Sequence, residues 1–202
     1  MTKLKTLTLA LGALVAPLAM AAPQQALQAK LAQLPEFEAQ FEQVVTDPDG
    51  TLLQQGQGSL AMAVPNRFAW HQQAPEESVI LSDGEDVYLY DPLLEQVSIY
   101  DLQDATGQTP LSLLSSNDEA EWAAYQVSQN GDCFTLTPSD ADGIQTMAIC
   151  FDGDAIESLS LVDGQQVETR MTLSRFHTGP LEQGRFTFAA PEGTLVDDQR
   201  NP

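Results

Sequence analysis

The chain has 202 residues, of which 29 are acidic and eight are basic, giving a formal net charge of -21. A surface this acidic repels phosphate groups, so the composition argues against nucleic acids and anionic lipid surfaces as partners. The length suits one domain, and no linker or low-complexity stretch divides the chain.

The N-terminal segment has the pattern of a secretion signal. Lys3 and Lys5 precede an uncharged, mostly apolar run over residues 7–19, and small residues follow it, which predicts cleavage before Ala22. The run falls short of the roughly 20 residues that a membrane-spanning helix needs. We therefore expect residues 1–21 to be a signal peptide and residues 22–202 to be one exported domain. No cysteine lies at the cleavage site, so no membrane anchor of the lipoprotein type is predicted.

The exported part begins with a predicted helix and a predicted strand. Leu27, Leu31 and Leu34 are spaced four and three residues apart, which places them on one face of a short helix ending near Pro35. The next stretch, residues 36–45 (EFEAQFEQVV), has apolar residues that fit the period of a helix as well as that of a strand. Its regular alternation of Glu and Gln favours the strand.

The stretch over residues 59–72 (SLAMAVPNRFAWHQ) is uncharged on both faces of its first half. If it is a strand, Leu60, Met62 and Val64 share one face, two alanines lie on the other, and Phe68 and Trp70 follow after a proline. Both faces are therefore expected to be hidden from water.

Turn sequences rich in Asp, Asn and Gly recur from residue 47 to residue 165, with short strand-like runs between them. This spacing predicts a meandering antiparallel sheet, open or barrel-like. The turns lack the ligand series of an EF-hand, so ordinary Asp-Gly turns are favoured over calcium sites. Near residue 110 the pattern breaks, because Pro110 can begin a helix containing Leu111, Leu113 and Leu114. That helix would either plug the end of the sheet or form a lid.

Catalytic and metal-binding motifs are missing from the sequence. His71 and His177 are the two histidines, and they belong to no metal-binding pair. Nucleophile-elbow, Walker and dinucleotide-binding signatures are also missing, although a triad assembled from distant residues stays open in principle. No cofactor or metal is predicted.

The two cysteines predict a structural disulfide. An even number of cysteines in an oxidising compartment favours pairing. If the turn around Asp140 pairs Thr137 with Thr146, Cys133 faces Cys150 directly, within the Cα range of a disulfide.

An exported β domain with apolar residues on both faces of some strands suggests an apolar ligand. The concave face of a curved sheet can stay apolar without being filled if a lid shields it. An ordinary β-sandwich core explains the composition equally well, so the pattern leaves both possibilities open.

Four stretches lie in order along essentially the whole exported chain: FEAQFEQVVTDPDG, QGQGSLAMAVPNRFAWHQQAPEESVILSDGEDVYLYDP, DATGQTPLSLL and PEGTLVDDQR. Together they resemble the LolA family of periplasmic outer-membrane lipoprotein carriers. The resemblance implies a mainly β fold, an unclosed half β-barrel of antiparallel strands whose apolar cavity is covered by a lid of short α-helices. It also implies a monomeric, periplasmic chaperone and not an enzyme.

The resemblance further implies partners and site residues. The partners would be acylated lipoproteins, the ATP-driven inner-membrane transporter LolCDE and the outer-membrane receptor LolB. The residues expected to line the cavity are Leu31, Leu60, Met62, Val64, Phe68, Trp70, Val79 and Leu81, and those expected in the lid are Leu111, Leu113, Leu114 and Ser115. A regulatory domain of the same fold that senses lipid or lipoprotein is the alternative function.

Val64 departs from the pattern of the family. Most relatives have an arginine immediately before this proline, and in the family that arginine is taken to hydrogen-bond carbonyls of the lid, which here are near Leu114 and Ser115. Valine has no donor, and Arg67 is expected to point to the other face. We therefore expect the lid to be held by apolar contact alone.

Overall fold

The structure is a computed structural model that describes residues 22–102, 113–116, 118–139 and 143–200. The strands in chain order are β1 (Glu36–Thr46), β2 (Leu52–Ala63), β3 (Arg67–Ala74), β4 (Ser78–Asp83), β5 (Asp86–Asp91), β6 (Gln96–Asp101), β7 (Tyr125–Asn130), β8 (Cys133–Pro138), β9 (Ile144–Asp152), β10 (Ala155–Asp163), β11 (Glu168–Thr178) and β12 (Leu195–Asp198). The α-helices are α1 (Pro23–Leu31) and α2 (Glu119–Ala123), and a 3-10 helix spans Gln183–Phe186.

The twelve strands form one sheet that does not close. Their order is β12-β6-β5-β4-β3-β2-β1-β11-β10-β9-β8-β7, so β12 and β7 are its edges. Neighbouring strands are antiparallel except β12, which pairs parallel to β6. The predicted mainly β, unclosed antiparallel architecture is confirmed. Within the described ranges, no helix is long and apolar enough to cross a bilayer.

The N-terminal helix and the first strand form as predicted. Leu27 and Leu31 are the buried residues of α1, and Leu34 is buried just beyond its end. On β1 the side chains alternate, with Phe37 and Phe41 buried and their neighbours more exposed. These residues belong to one apolar cluster on the inner face of the sheet, which runs from α1 across β1–β3 to β8–β11.

The outer face of the sheet over β2–β5 is covered by residues 179–194, which we call the C-terminal strap. Its Phe186 is buried against Ala61 of β2, and its Phe188 stacks on Tyr88 of β5 with ring centroids 5.3 Å apart. The absence of charge on both faces of β2 therefore has two causes. One face meets the interior, and the other meets the strap.

A disulfide joins β8 to β9. Cys133 lies directly opposite Cys150 in the ladder, and the two sulfur atoms are bonded. The register is the one expected from a turn around Asp140, although residues 140–142 themselves lie outside the described residues. The bond ties together two strands near the β7 edge of the sheet.

Replacing both cysteines (Cys133→Ala with Cys150→Ala) should lower the free energy of unfolding by about 3 kcal/mol. The cross-linked residues are 17 apart in sequence, and closing a loop of that size restricts the unfolded chain by roughly this amount. Urea unfolding of the oxidised proteins measures the difference. A reductant should lower the stability of the wild type and leave the double variant unchanged, and equal stabilities of the two oxidised proteins would contradict the prediction.

Candidate functional site

An apolar cavity of about 230 Å³ lies on the concave face of the sheet, and we call it the inner cavity. Leu60, Trp70 and Ile80 lie directly opposite one another on β2, β3 and β4, so their side chains share one face. The lining residues are Gln43, Leu60, Met62, Phe68, Trp70, Gln72, Ser78, Ile80, Leu161, Thr169 and Met171. Four of the candidate residues from the sequence, Leu60, Met62, Phe68 and Trp70, are therefore brought together in one wall.

A stacked aromatic pair supports this wall. The rings of Phe41 and Trp70 have centroids 4.0 Å apart. Gly58 of β2 lies opposite Phe41, and a Cβ at this glycine would come within 2.6 Å of the Phe41 Cζ atom. Such a Cβ would also collide with the main-chain carbonyl oxygen of His71 on β3, so any side chain at position 58 would displace the β3 backbone as well as the Phe41 ring that stacks on Trp70.

A second groove of about 430 Å³ separates α1 from the lid, and we call it the lid groove. Its lining residues are Gln28, Leu31, Ala32, Pro35, Val64, Leu114, Ser116, Glu119 and Trp122. Leu31 and Val64 thus lie beside the lid and are not among the residues that line the inner cavity. Leu113 and Leu114 are buried in the main apolar cluster, and Leu111 lies outside the described residues.

The prediction that Val79 and Leu81 line the cavity is wrong. Val79 pairs with His71 and Leu81 pairs with Ala69 across the β3–β4 ladder, so both point to the outer face, while Ile80 between them points inward. The three residues form a continuous apolar run. Alternation within such a run gives no sign of which face is the inner one.

The expectation that apolar contact alone holds the lid is also wrong. The main-chain N–H of Asn66 donates to the carbonyl oxygen of Ser115, with an N···O distance of 3.1 Å. The indole Nε1–H of Trp122 donates to the carbonyl oxygen of Ser116 at 3.2 Å. A main-chain donor is present at every residue except proline, so the sequence carries no sign of the Asn66 bond.

The inner cavity is suited to an uncharged ligand. The described residues that line this cavity include no Asp, Glu, Lys, Arg or His.

On the outer face, burial and the hydrogen bond to the Asp83 carboxylate raise the pKa of Tyr88 to about 12, so Tyr88 stays protonated at neutral pH. The part of the chain that the structure describes holds no group of three side chains suited to a metal ion.

Three apolar residues of the inner cavity were not predicted from the sequence: Ile80, Leu161 and Met171. Leu161 lies on β10 and Met171 on β11, and both strands alternate between apolar and polar residues. That alternation could have assigned the two side chains to a buried face. The pairing of β11 with β1, which brings them to this cavity, has no local signature.

Comparison with known proteins decides the family. Residues 32–189 match the family model described as "Outer membrane lipoprotein carrier protein LolA". The chain belongs to the LolA family. An outer-membrane lipoprotein carrier protein from Shewanella loihica is 40% identical over 201 residues, which cover 98% of this chain and 96% of the relative. A carrier protein of the same name from Cronobacter sakazakii is 40% identical over 178 residues, which cover 87% of each chain.

Solved structures agree on the fold. An uncharacterised conserved protein from Thermus thermophilus superimposes with a TM-score of 0.55 at 11% sequence identity, covering 87% of this chain and 98% of that one. The resemblance noted from the sequence motifs is thereby confirmed at the level of family and fold. LolA proteins are carriers and not enzymes, which agrees with a site built from apolar walls.

Replacing Val64 by arginine should hold the lid of this LolA-family chain more firmly. Val64 lines the lid groove with Leu114, so a guanidinium there lies near the lid carbonyls and can donate charge-assisted hydrogen bonds. Since a ligand must then open a more stable lid, binding of an apolar dye to the empty protein should weaken about tenfold. Fluorescence titration measures the affinity.

The matched control is Val64→Met, which has a long side chain without a donor and should bind the dye like the wild type. Unchanged dye affinity in the arginine variant would contradict the prediction. Weakening of equal size in both variants would assign the effect to side-chain volume.

Proposed function

We propose that this chain is a periplasmic lipoprotein chaperone whose inner cavity shields the acyl chains of its cargo. Residues 1–21 would direct export, and residues 22–202 would form the carrier domain. The observation that carries the proposal is an uncharged, apolar cavity on the open face of the sheet, next to a lid held by hydrogen bonds. Relatives at 40% identity bear the name outer-membrane lipoprotein carrier protein.

The inner cavity is small for the proposed cargo. It measures about 230 Å³, whereas sites for small ligands typically measure about 300–1,000 Å³. Acyl chains therefore need additional space. The lid groove measures about 430 Å³ and is lined by Leu114, which belongs to the same buried apolar cluster as the cavity wall, so displacing the lid would supply that space.

The energetics require partners on both sides of the transfer. Burying one acyl chain of about sixteen carbons is worth roughly 12 kcal/mol at about 0.8 kcal/mol per methylene. A bilayer supplies the same burial, so extraction into the carrier gains little free energy. The sequence contains no Walker-type phosphate loop, and we assign the work of extraction to the inner-membrane transporter LolCDE and the acceptance of cargo to the receptor LolB.

The test is release of labelled lipoprotein from spheroplasts. Added protein should bring lipoprotein into the soluble fraction, and Ile80→Gln should reduce that release roughly tenfold, because it places an amide in the wall that holds the acyl chains. Ile80 lines the inner cavity and is half-buried.

The control is Val79→Gln, the neighbouring half-buried residue on the outer face of the same strand, which should release lipoprotein like the wild type. If the wild type releases none, the chaperone proposal fails. If Ile80→Gln and Val79→Gln behave alike, the cargo does not occupy the inner cavity.

A further inference from the structure

The inner cavity has a polar end that its proposed role as an acyl-chain site leaves unexplained. Four of its lining residues carry amide or hydroxyl groups, and we call them the polar collar: Gln43 of β1, Gln72 of β3, Ser78 of β4 and Thr169 of β11. Gln72 and Ser78 lie directly opposite each other. The collar therefore gathers neutral hydrogen-bonding groups from four strands at one end of an apolar space.

The polar collar lies at the end of the cavity away from the lid. Gln72 is four residues along β3 from Phe68, a distance of about 13 Å in an extended strand. Phe68 lies near the β2–β3 turn, where Asn66 bonds to Ser115 of the lid. Gln72 lies near the β3–β4 turn, to which it is tied by a hydrogen bond from its Nε2 to the Glu76 carbonyl oxygen at 3.2 Å.

The hydrogen-bonding capacity of the polar collar is largely unused. Within the part of the chain that the structure describes, the side chains of Gln43, Ser78 and Thr169 have no hydrogen-bond partner. The Gln72 side chain uses only its amide nitrogen. All four residues are half-buried. In small-molecule sites, a few polar groups at the margin of an apolar pocket fix the orientation of the ligand.

We propose that the polar collar binds the neutral ester and amide groups that join the acyl chains to a lipoprotein. This proposal rests on the chaperone function above and adds an orientation and a specificity to it. Amide and hydroxyl donors of the collar bond to the acyl carbonyl oxygens, and the Gln43 and Gln72 amide oxygens accept from an N-acyl N–H. The methyl ends of the chains then point past Trp70 toward Phe68 and the lid.

The same arrangement selects against free fatty acids. The collar has no cation to pair with a carboxylate, and Glu76 and Glu77 follow it on the β3–β4 turn of a chain whose net charge is -21. Desolvating an unpaired carboxylate at this position costs more than desolvating a neutral ester or amide. The collar therefore admits acyl chains that are linked to a neutral group.

The test compares two probes on a double variant, Gln43→Leu with Gln72→Leu. The first probe is a labelled synthetic peptide with an N-terminal cysteine that carries a diacylglyceryl group on sulfur and an acyl group on nitrogen, and the second is diphenylhexatriene, an apolar dye without hydrogen-bonding groups. The variant should bind the lipopeptide about tenfold more weakly, since each lost hydrogen bond costs roughly two- to tenfold, and should bind the dye as well as the wild type or better.

The matched control is Gln57→Leu, an exposed glutamine on the outer face of β2 opposite Glu42, which should bind both probes normally. Ser78→Ala and Thr169→Val change little volume and test the collar if the double variant does not fold; each should weaken lipopeptide binding about two- to threefold. Lipopeptide affinity equal to that of the wild type in the folded collar variants would overturn the proposal while leaving the chaperone function intact. Failure of the wild type to bind the lipopeptide at all would overturn both.

Discussion

Side-chain alternation along β2 is the constraint on which the rest of the structure depends. Leu60 and Met62 point inward and build the cavity wall, while Ala61 and Ala63 point outward and are small enough for Phe186 to pack against the sheet. A shift of one residue in the register would exchange the two sets. Alanines would then face the cavity and large side chains would meet the strap, so the wall and its cover would be lost together.

The sequence predicted those features that depend on neighbours in the chain. The leucine spacing of α1, the alternation of β1 and the pairing of Cys133 with Cys150 across one hairpin are local. The faces of Val79 and Leu81 were misassigned because an unbroken apolar run has no preferred face. The strap was missed because Phe186 belongs to a segment without a hydrophobic period, and its partner Ala61 comes from a distant part of the chain.

The lid illustrates a further limit of inference from residue types. The family resemblance predicted that valine at position 64 leaves the lid without a side-chain donor, yet the Ser115 carbonyl receives a hydrogen bond from the main chain of Asn66. Substitution at Asn66, except by proline, retains that donor. The closed state of the lid therefore depends on the turn between β2 and β3, where Asn66 has a φ of 57° that favours Asn or Gly at this position.

The course of the C-terminal strap has a mechanical consequence. The strap starts at β1, where Gly179 N–H bonds to the Glu36 carbonyl oxygen, and reaches β6, where Leu195 N–H bonds to the Glu95 carbonyl oxygen. It spans six strands, about 24 Å of sheet width, along the convex side. Its contacts through Phe186 on β2 and Phe188 on β5 hold both strands from outside at once. The strands that form the cavity wall can therefore slide past one another only if these aromatic contacts break.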